Sequence, residues 1–192
     1  MRVIAGVARS RRLKSVRGQQ VRPTSDRVKE SVFAIIGNKI VDARVLDLFA
    51  GTGNLGIEAL SRGAKFAVFV DNDSRSIRVI KENLVSLGFI EIAEVVLGEL
   101  PLALKKIKRS EVRGQRSEET KFDLVFLDPL YLKDYEIKTV QALVENELLN
   151  PKAVVVIEHH KKTELPEEIQ HLKKVRQQKY GDTVVTFYQN NE

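Results

Sequence analysis

The chain has 192 residues, a formal net charge of +6, 43% hydrophobic and 30% charged residues, three histidines and no cysteine. That composition suits a globular protein of one domain; it excludes disulfides and thiolate metal sites, and with no spaced histidine set we expect no metal. No apolar run approaches the roughly 20 residues that span a bilayer, and MRVIAGVARS lacks the apolar stretch of a signal peptide, so we expect a monomeric cytoplasmic protein with no membrane partner.

The positive charge is concentrated at one end. Residues 1–29 hold nine Lys or Arg against one acid, Asp26, whereas the remainder holds 23 basic and 25 acidic residues. Such a segment is the electrostatic footprint expected for a nucleic-acid backbone, with Arg9, Arg11 and Arg12 among its candidate phosphate contacts. Residues 2–6 (RVIAG) and 13–16 (LKSV) predict two short strands around a basic connection. We therefore divide the chain into a basic β-hairpin appendage, residues 1–22, and a main domain, residues 23–192. In VRPTSDRVKESVFAIIGN, Pro23 stops any earlier element and Ser25 or Asp26 can cap. Val28, Val32, Phe33, Ile35 and Ile36 then recur at helical spacing until Gly37 and Asn38 end the helix.

From Arg44 strands and helices alternate. Strands are predicted at 44–48, 66–71, 91–97, 122–127, 153–158, 172–179 and 182–189. Helices fall near 54–62, 74–87, 100–108 and 134–147, with a weak helical turn near 164–169. VLDLF, FAVFV, FDLVFL and AVVVI are apolar without alternation, the mark of strands covered on both faces of a parallel sheet. The last two strands flank Tyr180-Gly181 and read as an antiparallel hairpin. Residues 109–120 (RSEVRGQRSEET) carry no apolar anchor and read as an exposed loop. The fold class is α/β, a doubly wound Rossmann-like domain whose seven-stranded, mostly parallel sheet ends in a C-terminal hairpin. Ligands of such sheets bind beyond the carboxyl ends of the strands, where the strand order reverses.

VLDLFAGTGNLG, residues 45–56, is an apolar strand carrying Asp47 and breaking into a glycine turn. Gly51, Gly53 and Gly56 alone satisfy the dinucleotide fingerprint, with Asp71 about 20 residues further on. A pyrophosphate, however, docks on positive backbone N–H groups, and a carboxylate at the strand end repels it. A cation reverses that preference. S-adenosylmethionine, with its sulfonium and ammonium, suits Asp47 beside a glycine turn better than a nicotinamide dinucleotide does.

A second chemical site follows the fourth strand, FDLVFLDPLY. Pro129 fixes its own backbone and presses Asp128 towards an extended conformation, presenting its carboxylate at the mouth of the same crevice. A nucleobase amine is a poor nucleophile because its lone pair is delocalised into the ring. Hydrogen bonds from that amine to the Asp128 carboxylate and to a carbonyl near Pro129 would align it with a methyl donor, and Tyr131 offers a face for stacking the base.

With these residues in view, the chain resembles the bacterial small-subunit ribosomal RNA guanine-N2 methyltransferases of the RsmD type, within the class I S-adenosylmethionine-dependent methyltransferases. RVIAGVARSRRLKSV, RPTSDRVKESVF, DLFAGTGNLGIEALSRGA, FVDND, FLDPLY and YGDTVVTFY carry the resemblance over nearly the whole chain. It implies methyl transfer to a guanine N2 in 16S rRNA, within the 30S subunit or its precursor, leaving S-adenosyl-L-homocysteine as product. It implies that Asp47, Gly51 and Gly53 surround the methionine part of the cofactor, with the cofactor-binding Asn54 opening the following helix, that Asp71 accepts from the ribose hydroxyls, and that Glu99 lies near the adenine. Arg22, Thr24 and Asp26 match the segment beside the cofactor and target base, although Thr24 and Asp26 also suit helix caps. Leu130 stands where the family's Asp-Pro-Pro-Tyr/Phe pattern has its second proline; Asp128, Pro129 and Tyr131 are kept. Two other functions stay open on sequence. One is N6 methylation of adenine, since the same acceptor suits any planar amine; the other is a non-catalytic RNA-binding assembly factor on this fold.

Overall fold

The computed structural model describes residues 1–16, 25–109, 121–129 and 135–191. Arg22, Thr24, Leu130, Tyr131 and the polar segment 110–120 lie outside the described residues. Helix α1 (Asp26–Ile36) is capped by Ser25, whose side chain accepts from the Val28 N–H, and ends at Gly37 with φ 58°. Ser25 rather than Asp26 thus takes the cap, satisfying one of the free N–H groups of the first turn.

The main body then alternates β1 (Arg44–Leu48), α2 (Asn54–Ser61), β2 (Phe66–Asp71), α3 (Ser74–Leu87), β3 (Ala93–Leu97), α4 (Ala103–Arg109), β4 (Phe122–Leu127), α5 (Tyr135–Glu145) and β5 (Leu149–His160). It closes with β6 (Glu168–Ile169), β7 (Leu172–Tyr180) and β8 (Thr183–Asn190). All form one sheet, in the order β3-β2-β1-β4-β5-β8-β7-β6. The first five strands are parallel, and β8 and β7 run antiparallel beside β5.

The sheet has eight strands where seven were expected. The addition is β6, two residues paired to β7 within the stretch read as a helical turn. Two residues are too short to carry a period of either kind, and Ile169 earns its place by burial on the sheet. Position 91–92 belongs to a 3-10 turn, Ile90–Ile92, rather than to β3. The closing turn is Gly181-Asp182, one residue later than expected, because Tyr180 pairs with Thr183.

Strand residues alternate between two cores. Val45, Phe69 and Phe126 pack with α1, α2 and α3 on one face, whereas Leu46, Val68, Val70 and Val125 pack with α4 and α5 on the other. This two-sided burial is why the parallel strands read as continuous apolar runs.

The N-terminal arm differs from its expected form. It turns back through Val3 N–H to Arg11 O, Ser10 N–H to Val3 O and Leu13 N–H to Met1 O, but its only ladder pair among the described residues is Arg2 with Arg12. Neither 2–6 nor 13–16 forms a strand, because the backbone bonds to the body instead. The arm also shares the body's core, since Val3, Ala8 and Leu13 are buried with α1, α2 and α3. At Gly6, with φ +82°, a Cβ would stand 1.7 Å from the Ser61 carbonyl oxygen, so only glycine permits this approach to α2.

Candidate functional site

The order reverses at β1, which has β2 on one side and β4 on the other. Its register pairs Leu48 with Val70 and with Leu127. One residue further along, Asp71, Phe49 and Asp128 therefore stand in a row across three adjacent strand ends. At the usual strand spacing that row spans about 10 Å. Its middle is the turn 49–53, in which Phe49, Gly51 and Gly53 all have positive φ, 60°, 56° and 78°. For a bulky residue such as Phe49 this conformation is costly, and strain of this kind collects at functional sites.

Each carboxylate at the crevice has a distinct task. Asp71 is half-buried; its Oδ2 accepts from the Gly51 N–H and its Oδ1 from the Asp73 N–H, both at 2.8 Å. Burial pushes its carboxyl up, and those backbone donors oppose the shift. Asp47 lies one residue inside β1 rather than beyond it and is 2% exposed, so it sits beneath the turn. Its Oδ2 accepts from the Gly56 N–H at 2.8 Å, which ties β1 to the first turn of α2. Burial pushes the Asp47 carboxyl up to about 8; the Gly56 N–H counters this, and the charges of Asp128 and Asp71 add to it. Asp128 is half-buried and is followed by a buried Pro129. Three acids thus share a neighbourhood in which the charges of Asp128 and Asp71 push the Asp47 carboxyl up, and a cationic ligand there would favour the carboxylates.

The glycines divide by surroundings. A Cβ at Gly56 would lie 2.3 Å from Phe69 Cε1 and 3.0 Å from Asp47 Oδ2, and one at Gly53 would meet Ile57, Phe69 and Ile80 at 3.2–3.4 Å. Among the described residues, a Cβ at Gly51 meets nothing nearer than the Phe49 carbonyl at 4.0 Å. The first two glycines serve packing, whereas Gly51 keeps a space clear above the turn. An open cradle over a glycine, beside the clustered carboxyl groups of Asp47, Asp71 and Asp128, fits a cationic S-adenosylmethionine.

The remaining candidates are dispersed around this centre. Glu99, after β3, is exposed, and its carbonyl accepts from the Ala103 N–H at the start of α4. Asn54 opens α2 but is buried, with Oδ1 accepting from Lys29 Nζ at 2.7 Å. Arg9, Arg11 and Arg12 are exposed on the arm, where Arg11 also donates to the Ser86 carbonyl. Asp26, exposed in the first turn of α1, pairs with Arg2 at 3.0 Å.

Sequence reasoning missed a buried polar cluster behind the turn. Lys29 and Glu58 are fully buried and 3.1 Å apart. Glu58 also accepts from the Ile4 and Ala5 N–H groups and from Arg62 Nε. One signal was available: Lys29, Val32, Phe33 and Ile36 occupy one face of α1 at i, i+3, i+4 and i+7, so a charge stood on an apolar stripe.

A model of the family described as Conserved hypothetical protein 95 matches residues 1–189. The chain belongs to that family. The match runs through the basic arm and the C-terminal hairpin as well as the sheet. A Bacillus subtilis relative, YlbH, whose name marks it as a candidate rRNA methyltransferase, is 41% identical over 189 residues, 98% of each chain. The ribosomal RNA small subunit methyltransferase D of Haemophilus influenzae is 35% identical over 161 residues, 84% of this chain and 79% of its own. Among solved structures, yhhF of Escherichia coli, titled as a candidate methyltransferase, matches with a TM-score of 0.82 and 31% identity, covering 99% of this chain and 97% of its own.

Proposed function

We propose that this chain transfers a methyl group from S-adenosylmethionine to the exocyclic N2 of a guanine in 16S rRNA, acting on the 30S subunit or its precursor in the cytoplasm. Membership of the family, with relatives named as rRNA methyltransferases, makes it an rRNA methyltransferase. The choice of guanine N2 rests on the likeness of its motifs to the RsmD type. The observation that carries the reading is the row of strand ends, in which Asp128, just beyond β4, stands beside the glycine turn that follows β1, one strand spacing away.

The donor supplies an electrophilic methyl on a sulfonium and leaves as S-adenosylhomocysteine. Around it, Gly51 and Gly53 shape the turn, Asp71 offers a carboxylate to ribose hydroxyls, and Glu99 lies at the adenine end. Asp47 answers the positive charge from beneath the turn, and Asn54 fixes the start of α2. On the acceptor side, the Asp128 carboxylate holds an amine hydrogen so that the nitrogen lone pair faces the methyl, and it takes up the proton the amine sheds as it gains that methyl. Pro129 keeps Asp128 extended, and Tyr131 stacks the base once it is swung out of its helix. Arg9, Arg11, Arg12, Arg22, Thr24 and Asp26 line the approach of the RNA. Among the described residues no group of three or more His, Asp or Glu could hold a metal, and no helix is long and apolar enough to cross a membrane.

A labelled-methyl assay offering 30S particles, naked 16S RNA and DNA side by side, followed by nucleoside analysis, tests the reading. We expect N2-methylguanine from a 16S substrate. N6-methyladenine would replace the target, and RNA binding without donor binding or transfer would leave an assembly factor.

A further inference from the structure

We propose that Asn83 and Lys29 are positioning residues of the donor site: they fasten the N-terminal arm to the glycine turn, so that the arm sets the geometry in which the donor binds. The inference rests on the reading that S-adenosylmethionine occupies the turn 49–54. Asn83, on α3, is 1% exposed. Its Oδ1 accepts from the Lys14 N–H at 2.8 Å, and its Nδ2 donates to the Lys14 carbonyl at 3.2 Å and to the Thr52 carbonyl at 3.1 Å. One carboxamide therefore grips the end of the arm like a strand partner and passes its remaining hydrogen to the residue between Gly51 and Gly53.

Lys29 does the same for the start of the arm. Its Nζ reaches the Arg2 carbonyl at 2.7 Å, Asn54 Oδ1 at 2.7 Å and Glu58 Oε2 at 3.1 Å, so its three hydrogens have three named acceptors. Glu58 returns to the arm by accepting from the Ile4 and Ala5 N–H groups at 2.8 and 3.0 Å. Thr52 Oγ1 adds a weak bond to Met1 Sδ at 3.6 Å.

Both neighbours of Gly53 are thus held by side chains that also reach the arm: Asn83 at Lys14, and Lys29 at Arg2 directly and at Ile4 and Ala5 through Glu58. Gly53, at φ 78°, is held by its own backbone bonds to Ala50 and Ile57, and Thr52 and Asn54 add the side-chain and carbonyl anchors on either side of it. An interior amide or ammonium needs partners for every donor it buries. Here those partners lie on two elements far apart in sequence, and the same groups that satisfy the side chains lock the turn to the arm.

The test combines calorimetric titration of S-adenosylhomocysteine with steady-state methyl transfer to a 16S substrate, for the wild-type chain and the Asn83→Leu, Asn83→Asp and Lys29→Met variants. Asn83→Asp keeps the shape and the acceptor for the Lys14 N–H but removes the donors to the Lys14 and Thr52 carbonyls. We expect the donor KM and the S-adenosylhomocysteine Kd to rise about tenfold in Asn83→Asp and Asn83→Leu, with kcat at saturating donor within about twofold of wild type. Lys29→Met should move the same two constants, through Asn54. A thermal melt separates this from a general loss of structure, which would lower the melting temperature and leave the donor KM of the folded fraction unchanged. Donor constants within twofold of wild type in Asn83→Asp, or a rise in RNA KM alone, would overturn the proposal. Failure of the wild-type chain to bind S-adenosylhomocysteine would instead remove the reading on which it rests, and the proposal with it.

Discussion

The two halves of the crevice are built from different materials. The donor half is backbone: three glycines, a strained Phe49, and N–H groups of Gly51 and Gly56 held by Asp71 and Asp47. The acceptor half is a strand end, where β4 delivers Asp128 and Pro129 in register with that turn. A small cofactor with charges at fixed places rewards a rigid cradle whose donors are already aimed. A nucleotide that must leave its own helix needs little more from the rigid body than one acceptor at a known place, with the rest of its grip supplied by neighbouring chain. The difference predicts that substitutions in the two halves separate binding from chemistry.

The largest separation should come from Asp128→Ala. Losing the carboxylate that the proposed reaction uses to hold and deprotonate the amine should cut transfer by about a thousandfold, whereas S-adenosylhomocysteine affinity stays within about twofold. Loss of both together would make Asp128 a structural residue and erase the contrast between the halves. Within the donor half, Gly56→Ala drives a methyl against Phe69, which is fully buried, and against the Asp47 carboxylate. Overpacking of that kind should cost about 1–3 kcal/mol in denaturant unfolding. Gly51→Ala places its methyl in open space, so its stability cost should be only the left-handed backbone penalty of about 1 kcal/mol. Because the proposed function gives that space to the donor, its affinity should fall by about tenfold while the unfolding midpoint barely moves. Equal stability losses at the two glycines would contradict their division into a packing glycine and a ligand-clearing one.

Legibility in the sequence followed the same divide between regular and irregular structure. FAVFV and FDLVFL announced buried parallel strands because helices cover both faces, and β1 and β2 end where they were expected to. Asp47 was legible as an acid before glycines but not as a residue beneath the turn. Period-two alternation in β1 turns its side chain towards α2, and only the register of the neighbouring strands makes that visible. The arm was read as a hairpin because RVIAG and LKSV look like strands. Its backbone groups pair instead with Glu58, Ser61 and Asn83, more than 50 residues away, a choice that no local pattern encodes. β6 escaped for a simpler reason, since two residues hold no period. Lys29 was readable in principle, as a charge on an apolar helix face whose partner had to be sought elsewhere in the chain.

The smallest predicted effect is electrostatic and distinguishes a cationic ligand from a neutral one. Asp47 has an ordinary value of 3.8 and is pushed up to about 8 in the fold, chiefly by burial. Between those values the folded chain holds a proton that the unfolded chain has released. This group's contribution to stability is therefore full below pH 3.8 and is lost as pH rises through about 8, with a slope of at most about 1.4 kcal/mol per pH unit. Asp71, shifted upward as well, acts in the same direction. A sulfonium in the crevice favours the carboxylates and lowers their pKa, so binding S-adenosylmethionine expels a proton below pH 8. S-adenosylhomocysteine lacks that sulfonium charge and keeps only its ammonium. Titrations from pH 6 to 8.5 should show S-adenosylmethionine tightening several-fold as pH rises and levelling off near pH 8, with a shallower rise for S-adenosylhomocysteine. Melts should show the donor-free chain losing stability over the same range and the S-adenosylmethionine-bound chain losing less. Parallel pH profiles for the two ligands would mean that the acids beneath and beside the turn hold its shape without sensing the methyl donor's charge.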